Sequence, residues 1–143
     1  MKADFETGFP IEAPPARIPY GIAPDALQGL LGGTCREVND GYYTLACTAL
    51  GGLPLNLGFH FRAGRLHKVE VFFGEDDDFA SVFPVRQRHL ESALGPADEV
   101  LATKLKGFAY YKWQAGGTAI EHFLRDRFGL EEHIAFMNDG DAP

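Results

Sequence analysis

The sequence predicts a single α+β domain with two helices and an antiparallel sheet of about six to seven strands. Its 143 residues suit one domain, and 45% apolar with 23% charged residues is a globular composition. Two stretches carry apolar residues at helical spacing and end in glycine. Elsewhere apolar residues recur with a period of two around turn signals, which indicates antiparallel hairpins.

Residues 1–22 hold four of the nine prolines, so this N-terminal segment is predicted to be extended or loosely packed. A short helix of about two turns follows, because Pro24 precedes leucines at positions 27, 30 and 31 and Gly32-Gly33 supplies a stop. The first half of the domain is therefore a helix followed by strands, over residues 24–73.

Residues 42–49 and 53–62 are predicted strands, and the second alternates strictly between apolar and other residues. In the returning segment 66–73, Val69, Val71 and Phe73 are out of step with Leu66. A bulge or a longer loop after Ala63-Gly64 is expected to absorb the difference.

A second helix is indicated by apolar residues that share one helical face and precede the stop Gly95-Pro96: Phe79, Val82, Phe83, Leu90, Ala93 and Leu94. Because proline suits a first helical turn, the regular part is expected to start near Phe83, with Pro84 in that turn. With the strands that follow, it forms the second half, residues 79–137.

The last third predicts a three-stranded meander with a defined register. If Gly116-Gly117 is a two-residue turn, the facing pairs are Trp113 with Ile120, Tyr111 with His122, Ala109 with Leu124 and Lys112 with Glu121. If residues 127–129 form a loop with Gly129 left-handed, they are Ile120 with Phe136, His122 with Ile134 and Arg125 with Glu131.

These registers divide the meander into two faces. The predicted inner face comprises Ala109, Tyr111, Trp113, Ile120, His122, Leu124, Ile134 and Phe136. The predicted outer face mixes aromatic and charged side chains: Phe108, Tyr110, Lys112, Glu121, Phe123, Arg125, Glu131 and His133. Aromatic residues and arginine are enriched at protein interfaces, so the outer face is the first candidate for binding a partner.

The two halves repeat an order of elements, a helix ending in Leu30-Leu31-Gly32 or Leu94-Gly95-Pro96 and then antiparallel strands. This order resembles the helix-plus-antiparallel-sheet repeats of the β-lactamase inhibitor protein and of small bacterial immunity proteins, without the former's signal peptide and disulfides. The resemblance spans about residues 20–137 and implies a protein that binds and neutralises another protein.

Charge and composition limit which cellular compartment and which classes of partner are expected. A net charge of −7 argues against nucleic acid or an anionic membrane, which require a basic face, and favours a basic protein partner. The acidic N-terminus and the interrupted apolar runs predict a cytoplasmic protein without an export signal or a membrane span. Cys35 and Cys47 have no disulfide or metal-ligand spacing and are expected to be half-buried apolar residues.

No catalytic motif, phosphate loop or cofactor signature is present, so no catalytic residue, metal or cofactor is predicted. A symmetrical hairpin at Ala63-Gly64 would place His60 opposite His67, but a third metal ligand is not evident, which favours a solvated pair.

The acidic run comprises Glu75, Asp76, Asp77 and Asp78 and lacks calcium-loop spacing. It either complements the dipole of the second helix or docks onto a basic partner.

Three functions remain open. The first is a non-catalytic immunity or inhibitor protein that occludes a toxin or enzyme with the outer face and the acidic run. The second is a small-ligand-binding or isomerase-like protein with a cavity near Tyr111, Trp113 and His122, where a neutral buried imidazole could act as a base. The favoured alternative is that His122 is a structural core residue whose ring forms a hydrogen bond with the Tyr111 hydroxyl. The third is a self-associating structural protein, a homodimer in which the outer face of the meander pairs with its own copy across a two-fold axis.

Overall fold

A computed structural model of the chain describes residues 5, 8–39, 41–73, 78–126 and 129–138. Within these residues it contains two helices and ten strands. The helices are α1 (Pro24–Leu30) and α2 (Phe79–Leu94). The strands are β1 (Phe9–Ala13), β2 (Ala16–Ile18), β3 (Arg36–Asn39), β4 (Tyr42–Ala49), β5 (Leu53–Arg62), β6 (Arg65–Phe72), β7 (Glu99–Leu101), β8 (Tyr110–Ala115), β9 (Thr118–Asp126) and β10 (Leu130–Asn138).

All ten strands belong to one antiparallel sheet with the order β2-β1-β4-β5-β6-β10-β9-β8-β7, and β3 also pairs with β4. The prediction of an α+β protein with two helices and a large antiparallel sheet is confirmed, but the expected six to seven strands were too few. The proline-rich segment forms the hairpin β1-β2. The short strands β3 and β7 pair with the longer strands β4 and β8, respectively. The two halves share this sheet because β6 pairs with β10, Val71 opposite Ile134.

The predicted register of the meander is confirmed from Tyr111 onward, but Ala109 precedes β8, and its predicted pairing with Leu124 lies beyond the observed ladder. Tyr111 pairs with His122 and Lys112 with Glu121 across the Gly116-Gly117 turn, and His122 pairs with Ile134 in the next hairpin. Between β5 and β6 the register shifts after His60, which confirms the expected bulge. Short glycine turns leave few alternative pairings, which is why sequence alone could define these registers.

Helix α1 has the predicted extent, but α2 begins four residues earlier than expected, at Phe79 rather than Phe83. The amide groups of Ser81 and Val82 both donate to the carbonyl oxygen of Asp78, so helical hydrogen bonding begins ahead of Pro84. The proline therefore lies inside the helix, where it removes one amide donor without ending the helix. No helix among the described residues has the length and apolar character needed to cross a membrane.

The core lies on one side of the sheet, beneath both helices. Phe5 and Phe9 pack their rings against Phe136 of β10, with centroids 4.9 Å apart in both pairs, although β1 and β10 are four positions apart in the sheet order. The sheet must curl for these contacts to form. Trp113 donates its Nε1–H to the carbonyl oxygen of Gly95 at 2.8 Å, which ties the end of α2 to β8.

Candidate functional site

The outer face of the sheet carries a row of aromatic and apolar side chains across five neighbouring strands. This aromatic row runs Phe72 (β6), His133 (β10), Phe123 (β9), Tyr110 (β8) and Leu101 (β7). The Tyr110 and Phe123 rings stack with centroids 4.3 Å apart, and the His133 ring lies 4.7 Å from that of Phe123. Phe72 and Leu101, at the two ends, are exposed large apolar residues.

A second row, of charged residues, runs beside the aromatic row and consists of Glu70, Glu121, Lys112 and Glu99. Ala135 of β10 separates Glu70 from Glu121 and is fully buried among its neighbours. Together the two rows make a surface of mixed aromatic and charged character, as the alternation of β8–β10 predicts.

Hydrogen bonds hold two carboxylates of the charged row: Glu70 is bonded to His60 of β5, outside both rows, and Glu121 to His133 and Tyr110 of the aromatic row. His60 and Glu70 lie 3.1 Å apart, and His133 Nε2 lies 2.9 Å from Glu121 Oε1. The Tyr110 hydroxyl donates a short hydrogen bond to the other oxygen of Glu121. The side chains of this surface are thus held in place before any partner arrives, which reduces the entropy lost on binding.

The same contacts set the charge of the surface. The hydrogen bond with His60 holds the pKa of Glu70 below its ordinary value, against the effect of burial. Burial raises the pKa of Glu121, but hydrogen bonds from His133 and Tyr110 outweigh it, so the net shift is downward. Both carboxylates are therefore charged at neutral pH.

The structure brings together seven of the eight residues predicted for the outer face of the meander: Tyr110, Lys112, Glu121, Phe123, Arg125, Glu131 and His133. Arg125 and Glu131 form an ion pair of 3.1 Å. Phe108 is a correction, because it precedes β8 and packs against Phe83 of α2, with ring centroids 5.8 Å apart.

The acidic run is described only in part. Glu75, Asp76 and Asp77 lie outside the described residues, and Asp78 directly precedes α2, where it accepts a hydrogen bond from the Ser81 hydroxyl at 2.8 Å. Since α2 packs on the inner side of the sheet, Asp78 is not part of the outer surface.

The predicted facing of His60 and His67 is wrong, because the bulge pairs His60 with Lys68. Within the described part of the chain, no three histidine, cysteine or acidic side chains form a group that could hold a metal. Cys35 is buried and Cys47 half-buried, both unpaired, and burial raises the pKa of Cys47 to about 11. Both cysteines thus behave as the small apolar residues predicted.

The inner side of the same strands holds a buried polar network. His122 is 0% exposed, with Nδ1 2.9 Å from Gln87 Oε1 and Nε2 2.7 Å from Glu132 Oε2. Arg86 of α2 donates to the other oxygen of Glu132, whose side chain is 3% exposed. The expected partner, the Tyr111 hydroxyl, is replaced by these groups, and the Tyr111 ring centroid lies 6.5 Å from that of His122.

Burial lowers the pKa of His122, and although Glu132 raises it, the net shift is downward. This agrees with the neutral ring expected from the sequence. Two acceptor oxygens beside the ring would suit a doubly protonated imidazole. A neutral ring is satisfied when the Gln87 amide turns and donates to Nδ1, and the downward shift favours that arrangement.

A cleft of about 200 Å³ lies on the inner side between α2 and the segment before β8. Tyr111 lines it, His122 lies behind Gln87, and Trp113 is buried with its indole N–H bonded to Gly95. The residues lining the cleft are Phe83, Pro84, Gln87, Arg88, Glu91, Gly107 and Tyr111. Sequence reasoning named Tyr111 and missed Gln87, Arg88 and Glu91.

No family model matches the chain, and no curated protein matches it. Among solved structures, a DUF4309 family protein, YjgB from Bacillus subtilis, is similar, with 13% identity and a TM-score of 0.45 over 81% of this chain and 78% of that chain. This degree of similarity supports no functional argument.

Proposed function

We propose that this chain is a protein-binding module, an immunity or inhibitor protein that neutralises a basic partner toxin or enzyme through its outer face. The observation that carries the proposal is the aromatic row, which crosses five strands and has exposed apolar residues at both ends. Among the described residues, both helices contact the sheet away from this row: α1 contacts β2, and α2 stacks Phe83 on the inward-facing His122.

The size of this surface suits a protein partner. At about 4.8 Å per strand, the five strands from β6 to β7 span about 19 Å, and β5 and β4 extend the sheet to about 29 Å. A standard interface buries about 800 Å² on each partner, roughly a patch of that width.

Charge supports a basic partner. The chain has a net charge of −7, and Glu70 and Glu121 stay ionised beside the aromatic row. Complementary charge speeds association and selects among partners, while buried aromatic residues supply most of the affinity.

The proposal is tested by affinity capture from the native lysate with wild-type protein and two variants. Phe72→Asp alters an exposed end of the aromatic row, and Val85→Asp is the matched control at an exposed apolar position of α2. We expect wild type and Val85→Asp to retain one stoichiometric basic protein, and Phe72→Asp to bind it about 30-fold more weakly, or by about 2 kcal/mol.

Three results would overturn the proposal. The first is that wild type retains no stoichiometric partner, and the second is that both variants retain it equally. The third is that wild type alone sediments as a dimer that Phe72→Asp dissociates, which would assign this face to a second copy of the chain.

A further inference from the structure

A buried amide group with an unpaired end belongs to the wall of the cleft between α2 and the segment before β8. Gln87 is 5% exposed, one end of its amide is held by His122, and Nε2 has no hydrogen-bond partner among the described residues. A buried polar group without a partner costs about 1–3 kcal/mol, and most such groups in native proteins are paired. The cleft that Gln87 lines is the place where a partner for this amide can sit.

One polar end of the amide is unpaired in either orientation. If Oε1 accepts from a protonated His122, the N–H₂ end is free, and if the amide turns to donate to a neutral ring, the carbonyl end is free. A ligand with both a donor and an acceptor therefore satisfies Gln87 in either state of His122.

Two opposite charges flank the amide. Arg88 and Glu91 both line the cleft, are exposed, and lie three residues apart on α2, which places them on the same side of the helix. Neither side chain forms an ion pair or hydrogen bond with another residue in the part of the chain that is described. The cleft thus offers one cation, one anion and one amide group to a small molecule.

An adjoining groove has a different character. It has a volume of about 360 Å³, shares Gly107 and Tyr111 with the cleft, and is lined by Leu105, Phe108 and Ala109 among others. Apolar walls beside a few polar groups are typical of sites that bind small molecules. The polar cleft can hold the charged part of a ligand while the groove holds an apolar part.

We propose that the cleft binds a free α-amino acid with an apolar side chain. Arg88 holds the carboxylate, Glu91 holds the ammonium group, the free end of the Gln87 amide hydrogen-bonds to the bound zwitterion, and the side chain enters the groove beside Phe108. This site lies on the inner side of the sheet and is independent of partner binding on the outer face.

The test is isothermal titration of the full chain with each of the common L-amino acids, followed by the N-acetyl and carboxamide forms of the tightest binder. We expect one-to-one binding, tightest for apolar side chains, and a loss of about tenfold or more for either blocked form, as for a lost hydrogen bond to a charged group.

Variants locate the site. Arg88→Met and Glu91→Gln change exposed residues and are each expected to weaken binding about tenfold, whereas Arg65→Met, an exposed arginine in β6, leaves it unchanged. Absence of binding by every amino acid at millimolar concentration would overturn the proposal, as would equal affinity in all three variants. Phe72→Asp serves as a further control, since it tests the outer face alone.

Discussion

Glu132 is the best residue for testing the buried network, because the adjacent Glu131 is a matched carboxylate outside that network. The Glu132 side chain is 3% exposed and accepts hydrogen bonds from Arg86 and His122. Glu131, on the opposite face of the same strand, is 37% exposed and pairs with Arg125 at 3.1 Å. Replacing each by glutamine removes one charge with almost no change in volume.

The expected losses differ widely. Breaking a buried ion pair by neutralising one partner costs about 3–5 kcal/mol, because the remaining charge is left in a medium that solvates it poorly. Arg86 keeps its contact with the Phe73 ring, 3.6 Å from the guanidinium carbon, so the lower end, about 3 kcal/mol, is expected for Glu132→Gln. An exposed pair contributes about 0–1 kcal/mol, so Glu131→Gln is expected to lose at most about 1 kcal/mol.

Urea unfolding at neutral pH measures both losses, and the larger one corresponds to a fall of roughly 10 °C in Tm. A loss below about 1 kcal/mol for Glu132→Gln, or equal losses for the two variants, would refute the argument that Glu132 is a buried partner of Arg86 and His122.

Two further predictions concern pH and backbone geometry. The folded state resists protonation of His122, whose pKa is lowered, so the urea midpoint should fall as pH drops below 6.5. The urea midpoint should fall again below about pH 4.5, because Glu70 and Glu121, whose pKa values are also lowered, then lose their stabilising charge. A midpoint that stays constant down to pH 4.5 would contradict the fall attributed to His122. Gly8→Ala places Cβ 2.4 Å from a backbone carbonyl oxygen at φ 151° and should lower the unfolding free energy by about 2 kcal/mol or more. Gly29→Ala, in α1 with no atom within 4 Å of its Cβ, should raise it by about 0.5–1 kcal/mol, and equal midpoints for the two glycine variants would contradict the geometry.

The meander could be predicted from sequence because local signals define it. Gly116-Gly117 and Gly129 fix two short connections, and once the turns are fixed the alternation of side chains assigns every residue to a face. The outer-face set followed directly from that assignment. Phe108 was misplaced because strand alternation was extended beyond the start of β8 at Tyr110.

The short strands could not be predicted in the same way. β1 and β2 lie in a segment whose prolines argue against regular structure, and β1 is stabilised by pairing with β4, more than 30 residues away. β3 and β7 have four and three residues, too few to show a period. Pairing with longer strands, β4 for β1 and β3 and β8 for β7, stabilises these elements more than local propensity does.

The buried network was missed for a related reason. The predicted register implies that Glu132 lies opposite Leu124, on the inner face, but the predicted inner face did not include it. Its partner Arg86 lies 46 residues earlier, on the helix whose start was misplaced, so sequence gave no sign of the pairing. The signal that could have revealed this network is a charged residue at an inward-facing position of a strand whose register is well defined.

The alternation of β9 and β10 also explains how the two proposed sites can lie on opposite faces of the same strands. Glu121 and His133 face outward beside the aromatic row, while their neighbours His122 and Glu132 face inward behind the cleft. Each network is closed by residues on its own side, Tyr110 outside and Arg86 and Gln87 inside. We therefore expect substitutions at the exposed ends of the two proposed sites, Phe72 outside and Arg88 or Glu91 inside, to alter one proposed function at a time. None of these residues belongs to either hydrogen-bond network.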